Sequence, residues 1–179
     1  MRPIICGTAV CVVASMVIAG IASAQQVTRE TIPGITNFAR LETTIACGGA
    51  TKPEAIVELK RMGYASIIAL REASEAGADI DAEASAAKAA GIRFVHLPFN
   101  IASPDPLLID HFVAAVTAPA NQPAYVHCAA GGRAAALWMI KRVLVDRWDE
   151  ARALQEATEL GLNDRLRPFA VDYIHTHRP

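Results

Sequence analysis

Residues 123–145 constrain the fold of this chain more than any other stretch. They begin with a short apolar run, residues 124–126, in which Tyr and Val favour a β-strand. A cysteine, four small residues and an arginine follow, and from Ala134 a helix-favouring run continues to Val145. The order strand, tight loop, helix predicts that Cys128 lies at the carboxyl edge of a sheet and faces a helix N-terminus.

The loop after Cys128 is suited to binding an anion. Its four small residues are Ala129, Ala130, Gly131 and Gly132. They allow the backbone to curl so that successive N–H groups point inward, towards the positive end of the helix macrodipole. Arg133 can donate two parallel hydrogen bonds to an oxyanion, and with the dipole it favours a thiolate at Cys128. The sequence therefore predicts a nucleophilic cysteine at the base of an anion site formed by residues 129–133.

Cys128 and His127 also admit simpler roles. Free cysteines are often buried for structural reasons, but the coincidence of strand, loop, arginine and helix favours a nucleophile at Cys128. His127 precedes it on the strand, so its side chain points to the opposite face of the sheet. We expect His127 to order the loop by hydrogen bonding rather than to act as a base.

The motif His127-Cys128-Ala129-Ala130-Gly131-Gly132-Arg133 resembles the signature loop of cysteine-dependent phosphatases. Dual-specificity and tyrosine phosphatases have five residues between Cys and Arg and usually Ser or Thr after the Arg, whereas this chain has four residues and Ala134. Four is the usual spacing in rhodanese sulfurtransferases. The phosphatase-like domain of bacterial beta-lactamase hydrolase-like proteins also has the shorter loop, and the rest of the chain is most similar to that group.

Residues 47–71 extend this resemblance. A predicted turn at 47–50 has the sequence Cys-Gly-Gly-Ala where the group often has Ser-Gly-Gln-Pro, and residues 69–71 are Ala-Leu-Arg where it often has Asn-Leu-Arg. Between them we predict a helix capped by Thr51 and a strand at 64–70. Arg71 could help to bind an anion at the end of that strand, but we favour a contact with Glu72 or Glu75 that orders the loop.

Helix and strand patterns alternate along the rest of the chain. We predict strands at 35–39, 43–46 and 92–99, and helices at 81–90, 106–118 and 148–160, the last capped by Asp149. This order predicts an α/β fold, a three-layer sandwich with a mainly parallel central sheet flanked by helices. A polar tail with a short helix near 169–174 is expected to end the chain.

A cysteine phosphatase also needs an acid that protonates the leaving oxygen. In dual-specificity phosphatases an Asp does this from the loop after the strand that corresponds to residues 93–99, and by this resemblance Asp105 is the nearest candidate. Asn100 stands closer to that strand, where many of those enzymes have Asp, and Asp110 falls inside the predicted helix. The alternative role of Asp105 is to stabilise the start of that helix.

Residues 1–24 have the pattern of a secretory signal peptide. Arg2 is their only charge, residues 4–21 are apolar, and small residues at 22–24 suit cleavage after Ala24. A membrane anchor is the less favoured alternative, because the stretch is barely long enough to span a bilayer. We therefore expect a single phosphatase-like domain at 25–179, located in the periplasm or secreted, with no membrane contact after cleavage.

Charge and composition limit the partners and cofactors of this domain. The full chain has a formal net charge of −1, which becomes about −2 without Arg2, and this indicates no nucleic-acid partner. His175 and His177 have the spacing of metal ligands but lack a third ligand, so we expect no metal and no cofactor. Cys47 and Cys128 are too few for a disulfide scaffold, although the two could pair as a reversible lock.

Three functions are consistent with the sequence. The resemblance implies a phosphatase for phosphorylated small molecules or proteins, including phosphotyrosine or phosphoserine, with a phosphocysteine at Cys128, oxygens held by Arg133 and residues 129–132, and Asp105 as the acid. The four-residue spacing leaves open a sulfurtransferase with a persulfide on Cys128 and a sulfur-donating substrate. Ala134 and the doubtful acid leave open a non-catalytic module that binds a phosphate or sulfate group.

Overall fold

A computed structural model describes residues 26–42 and 44–178 of the chain. Within these residues, six strands form one sheet: β1 (Val27–Arg29), β2 (Ala39–Leu41), β3 (Ile45–Gly48), β4 (Ser66–Ala69), β5 (Arg93–His96) and β6 (Ala124–His127). The strand order is β1-β2-β3-β6-β4-β5. The four strands from β3 to β5 in this order are parallel to their neighbours, and β1 and β2 add an antiparallel edge. The predicted parallel centre is thereby confirmed, within a mixed sheet.

Six α-helices cover the two faces of this sheet in the described residues: α1 (Ile56–Arg61), α2 (Ile80–Ala90), α3 (Leu108–Thr117), α4 (Gly132–Leu144), α5 (Glu150–Leu160) and α6 (Arg167–His177). Side chains of α1 and α2 pack on one face, where Phe38 and Tyr125 form the aromatic centre of a smaller core. The other four helices pack on the opposite face around Leu137 and Phe112, in the larger core. Alternate residues of each strand enter alternate cores, as the pleat requires. The three-layer α/β sandwich is confirmed.

Several helix boundaries follow from local chemistry that the sequence reveals. Asp149 caps α5, because its carboxylate accepts hydrogen bonds from the N–H groups of Ala151 and Arg152. Gly91 and Gly161 end α2 and α5 in the left-handed conformation that glycine adopts without strain.

Other expectations about the elements were wrong. Cys47 and Gly48 belong to β3 rather than to a turn, because both pair with β6. Thr51 caps no helix: its hydroxyl contacts the hydroxyl of Tyr125 at 2.7 Å, and a short 3₁₀ turn precedes α1. The strand β5 ends at His96, before the proline, and the edge strand β1 was not predicted.

The end of the chain is a full helix rather than a polar tail. Leu166, Ala170 and Ile174 recur every four residues, and all three are buried in the larger core. The predicted short helix near 169–174 covers only the centre of α6, because it does not take this apolar spacing into account.

The described segments contain no helix that could cross a membrane. The predicted signal peptide at 1–24 lies outside the described residues.

Candidate active site

Cys128 follows directly after β6, at the carboxyl edge of the parallel strands. Its N–H donates a hydrogen bond to the carbonyl of Gly48 in β3, at 3.1 Å. On the other side, the N–H of Leu70 donates to the carbonyl of His127, at 2.9 Å. Cys128 therefore lies between the ends of β3 and β4, at the predicted edge of the sheet.

The loop after Cys128 curls around the sulfur. Gly131 has a φ of 97°, in the left-handed region that favours glycine, and its N–H donates to Cys128 Sγ at 3.1 Å. The carbonyls of Ala129 and Ala130 accept hydrogen bonds from behind the loop, from the Ala50 N–H and the Asn37 side chain. Because these carbonyls face away, the concave side of the loop is left to N–H groups, as an anion requires.

Gly132, the first residue of α4, is closely packed against side chains of another segment. A Cβ atom at this position would lie 2.8 Å from a methyl group of Leu166 and 2.9 Å from the side-chain nitrogen of Asn163. The connection between α5 and α6 therefore reaches the cysteine loop. Nothing in the sequence predicted this approach.

The Arg133 guanidinium is held beside Cys128 by a bidentate ion pair. Nη1 and Nη2 donate to the two carboxylate oxygens of Glu75, at 2.6 and 2.7 Å, and Nη1 also donates to the carbonyl of Phe99, at 2.8 Å. Burial disfavours its charge, but Glu75 and the nearby Cys128 sulfur raise the pKa of Arg133. Arg133 is thus a fixed cation next to the nucleophile.

Arg71 holds the loop that carries Glu75. Its guanidinium donates to the carbonyls of Ala76 and Gly77, at 2.7 and 2.9 Å, and lies 3.4 Å from Glu75. The loop-ordering role that we favoured for Arg71 is confirmed. Burial alone would raise the pKa of Glu75, but the hydrogen bonds and charges of Arg133 and Arg71, with the Glu72 N–H, lower it. Glu75 is therefore a carboxylate at neutral pH.

Sequence reasoning missed the contact between Glu75 and Arg133. It recognised acids after Arg71, but it assigned them only to Arg71. The two residues are 58 positions apart and meet because β4 lies next to β6.

Cys128 faces an open cavity of about 360 Å³. The cysteine loop forms its base. Its walls are the loop after β4 with Glu72 and Glu75, the loop after β5 at residues 99–101, and the α5–α6 connection with Asn163 and Arg165. Parallel strands bring these loops to one edge of the sheet, where ligands commonly bind in α/β folds.

Asp105 is not among the residues that line this cavity. It is exposed, and its carboxylate accepts a hydrogen bond from the Leu107 N–H, at 2.9 Å, just before α3. The structure therefore places it in the alternative, helix-stabilising position and does not bring it together with Cys128. Asp110 lies within α3 and is also exposed.

His127 points away from the cavity, as predicted. It is fully buried, its ring stacks on Tyr125 with centroids 5.6 Å apart, and its Nε2 lies 2.9 Å from Glu83 Oε2. The ring N–H is not aligned with that oxygen, so the pair is a close contact rather than a regular hydrogen bond. The expected loop-ordering hydrogen bond from the imidazole is absent among the described residues.

Cys47 and Cys128 are both free thiols in the structure. Cys47 pairs with Val126, so it lies diagonally across from Cys128 on the same face of the sheet. Burial raises the pKa of Cys47, and the charges of Cys128 and Glu156 add to this effect. Cys47 is thus a buried, protonated thiol, and the reversible disulfide stays a prediction.

His175 and His177 belong to α6. His175 lies 3.2 Å from a Glu150 oxygen, and His177 stacks on Tyr173 at 3.9 Å. Across residues 26–42 and 44–178, no three metal-ligating side chains are grouped as a metal site.

Comparison with known proteins now adds to this geometry. The family model of the "beta-lactamase hydrolase-like protein, phosphatase-like domain" matches residues 37–145, from just before β2 to the end of α4. The match includes Glu75, Cys128 and Arg133. No curated protein matches the chain.

Solved structures share the fold at low sequence identity. A DUF442 protein from Shewanella putrefaciens CN-32 is 21% identical over 80% of this chain and 89% of its own, with a TM-score of 0.66. TpbA from P. aeruginosa is 20% identical over 88% and 92%, with a TM-score of 0.66, and a variant of it is known in complex with pTyr. The catalytic domain of the PP-IP phosphatase SIW14 from S. cerevisiae is 21% identical over 74% and 82%, with a TM-score of 0.60. These similarities establish the cysteine-phosphatase fold.

Proposed function

The chain belongs to the phosphatase-like domain family of beta-lactamase hydrolase-like proteins, and from this membership we propose that it hydrolyses phosphate monoesters through a phosphocysteine. The observation that carries the proposal is the position of Cys128 Sγ. It lies at the base of the cavity, accepts a hydrogen bond from the Gly131 N–H, and is next to the fixed guanidinium of Arg133. These are the parts of a nucleophile within an anion site.

The reaction would proceed in two displacements. The Cys128 thiolate attacks phosphorus, the bond to the leaving oxygen breaks, and that oxygen takes up a proton as the alcohol departs. Loop N–H groups and Arg133 stabilise the charge on the three other oxygens. Water then attacks the phosphocysteine and releases inorganic phosphate and the thiolate.

The substrate class is proposed from the open cavity above the cysteine loop and from a protein that shares the fold. The cavity has a volume of about 360 Å³, and a variant of TpbA binds pTyr. We therefore propose aryl phosphates, including phosphotyrosine, as the first substrates to assay.

The test compares the protein with its Cys128→Ser variant on phosphotyrosine. We expect the wild type to release phosphate and the variant to lose at least about a thousandfold in rate, because the nucleophile is gone. Equal phosphate release by both proteins would overturn the proposal. Unchanged thermal unfolding of the variant controls for misfolding.

A sulfurtransferase is the second candidate, since four residues separate Cys128 from Arg133. The same two proteins are therefore assayed with thiosulfate and a cyanide acceptor. Thiocyanate formation that needs Cys128, without phosphate release, would establish this alternative. Phosphate or sulfate binding by a wild type that is inactive in both assays would identify a binding module.

We also propose that the protein is exported after cleavage behind Ala24. The apolar stretch at 4–21 and the small residues at 22–24 support this proposal. N-terminal sequencing of the protein from the periplasm of a bacterial host is expected to begin at Gln25. An intact Met1 in the cytoplasmic fraction would contradict it.

A further inference from the structure

We propose that Glu72, in the loop after β4, is the general acid of this reaction, in place of an aspartate from the loop after β5. The inference rests on the proposed phosphatase function and assigns a catalytic role that the family resemblance does not supply.

Glu72 lies in the wall of the cavity above the cysteine loop. Its side chain is half-buried and lines the same cavity as Cys128. Of the described carboxyl groups, Glu72 and Glu75 are the two that line this cavity. Asp105, the candidate from the resemblance, is exposed and bound to the Leu107 N–H instead.

Glu75 cannot serve as the acid. Both of its oxygens accept hydrogen bonds from Arg133, and Arg71 lies 3.4 Å away. These cations favour the carboxylate, so Glu75 lacks a proton to donate near neutral pH. Loss of its charge would also release Arg133. Glu72 makes no ion pair with a described residue.

Asn100, in the adjacent loop after β5, is hydrogen-bonded to the Glu72 side chain. The resembling phosphatases often have their acidic residue near this position, but the amide of Asn100 has no acidic proton. Its Nδ2 instead donates to Glu72 Oε1 at 3.3 Å, which leaves Oε2 available for the transferred proton. The residue that replaces the acid thus positions another acid, from the neighbouring strand.

The backbone of Glu72 is held as firmly as a catalytic group requires. Its N–H donates to Glu75 Oε1 at 2.9 Å, and the preceding Arg71 is buried and bound to the far end of the loop. The loop therefore has little freedom to carry Glu72 away from the cavity.

The proton balance is complete with Glu72 alone. As Cys128 attacks phosphorus and the P–O bond breaks, the Glu72 carboxyl gives its proton to the leaving oxygen and becomes a carboxylate. In the second step that carboxylate takes a proton from the water that attacks the phosphocysteine. Inorganic phosphate leaves, and the acid is restored.

The experiment measures kcat/KM for phenyl phosphate and dinitrophenyl phosphate with the wild type, Glu72→Gln and Asp105→Asn. Phenolate is a poor leaving group and needs the proton, whereas dinitrophenolate leaves without it. We expect Glu72→Gln to lower the value for phenyl phosphate by about a hundredfold or more and to leave dinitrophenyl phosphate within about threefold. Asp105→Asn, the matched carboxyl-to-amide change, is expected to alter neither.

Three results would overturn the inference. The first is a loss of kcat/KM for phenyl phosphate alone in Asp105→Asn instead of Glu72→Gln. The second is an equal loss of kcat/KM for both esters in Glu72→Gln. The third is no loss of kcat/KM in Glu72→Gln. The glutamine is isosteric and half-exposed, so the variant is expected to unfold at the wild-type temperature.

The failure of the proposed function has a different signature. If the wild type releases no phosphate from dinitrophenyl phosphate beyond the level of Cys128→Ser, the phosphatase proposal fails and the role of Glu72 falls with it. If the wild type hydrolyses both esters through Cys128 and Glu72→Gln does the same, only the acid assignment fails.

Discussion

His127, the last residue of strand β6, lies on the face that α1 and α2 cover, and Cys128, directly after the strand, lies on the face that α3 to α6 cover. Cys128 opens to a cavity, with a cation and an N–H group beside its sulfur. His127 is sealed from solvent against Glu83, and its Nδ1 has no hydrogen-bond partner in the described part of the chain. Two adjacent residues at the end of β6 thus lie in an open site and in a closed core.

This difference shows how the protein separates reactivity from stability. On the cavity face, Arg133 and Glu75 neutralise each other's charge. Their ion pair lies at the surface of the site, where an incoming anion can reach the guanidinium. On the other face, Glu83 and His127 are 1% and 0% exposed. Their interaction therefore contributes to the stability of the folded state and not to the open site. Substitutions on the first face should change catalysis most, and those on the second should change mainly the free energy of unfolding.

Arg133→Ala is expected to give the largest effect, mainly on catalysis, with a smaller loss of stability because its ion pair with Glu75 is removed. The charge that stabilises the phosphoryl oxygens is lost, so kcat/KM for phosphotyrosine should fall by about a thousandfold, as for the loss of other transition-state donors. Steady-state kinetics and urea unfolding of the same sample measure the two quantities. A variant that loses mainly stability would remove the distinction between the two faces.

Glu83→Ala is expected to change the free energy of unfolding rather than catalysis. Truncating the fully buried Glu83 leaves a cavity beside the His127 ring, so the free energy of unfolding should fall by about 3 kcal/mol. The folded fraction should retain kcat/KM within about tenfold of the wild type. Asp81→Ala, an exposed carboxylate on the same helix, is the control and should cost less than about 1 kcal/mol.

Glu75→Gln is expected to have an intermediate effect that depends on pH. Because the folded state lowers the pKa of Glu75, its ion pair contributes stability above the unfolded pKa of about 4.3, and that stability is lost as the pH falls through the folded pKa. The variant should therefore be less stable than the wild type at pH 7, and the two should converge on acidification. Urea unfolding at several pH values measures this; a constant difference at all pH values would contradict it.

The smallest effect concerns the two thiols. Because Cys47 is buried with a raised pKa and Cys128 faces the cavity, brief treatment of the native protein with iodoacetamide should modify Cys128 alone. Peptide mass spectrometry identifies the modified cysteine. Unfolding in denaturant should make both thiols reactive. If Cys47 reacts first, the assignment of the open and closed positions is wrong. Two blocked thiols in the unreduced, unfolded protein would instead establish the reversible disulfide.

Much of the fold was predictable because its signals are local. The alternation of strands and helices, the caps Asp149 and Gly91, and the strand–loop–helix unit around Cys128 each depend on neighbouring residues. Leu166, Ala170 and Ile174 show that a local signal can also be overlooked, since their spacing predicts α6. At Thr51 the local pattern predicts the wrong role, because a hydroxyl shortly before a proline suggests a cap, whereas this one binds Tyr125 across the core.

The sequence by itself determined the strand–loop–helix unit around Cys128, the family and the layered fold, since each follows from residue order over short distances. Only the tertiary structure decided which groups surround the sulfur. Arg133 meets Glu75, Gly132 meets Asn163, and Glu72 rather than Asp105 enters the cavity. These contacts join segments separated by dozens of residues, and strand order, rather than any local pattern, brings them to one edge of the sheet.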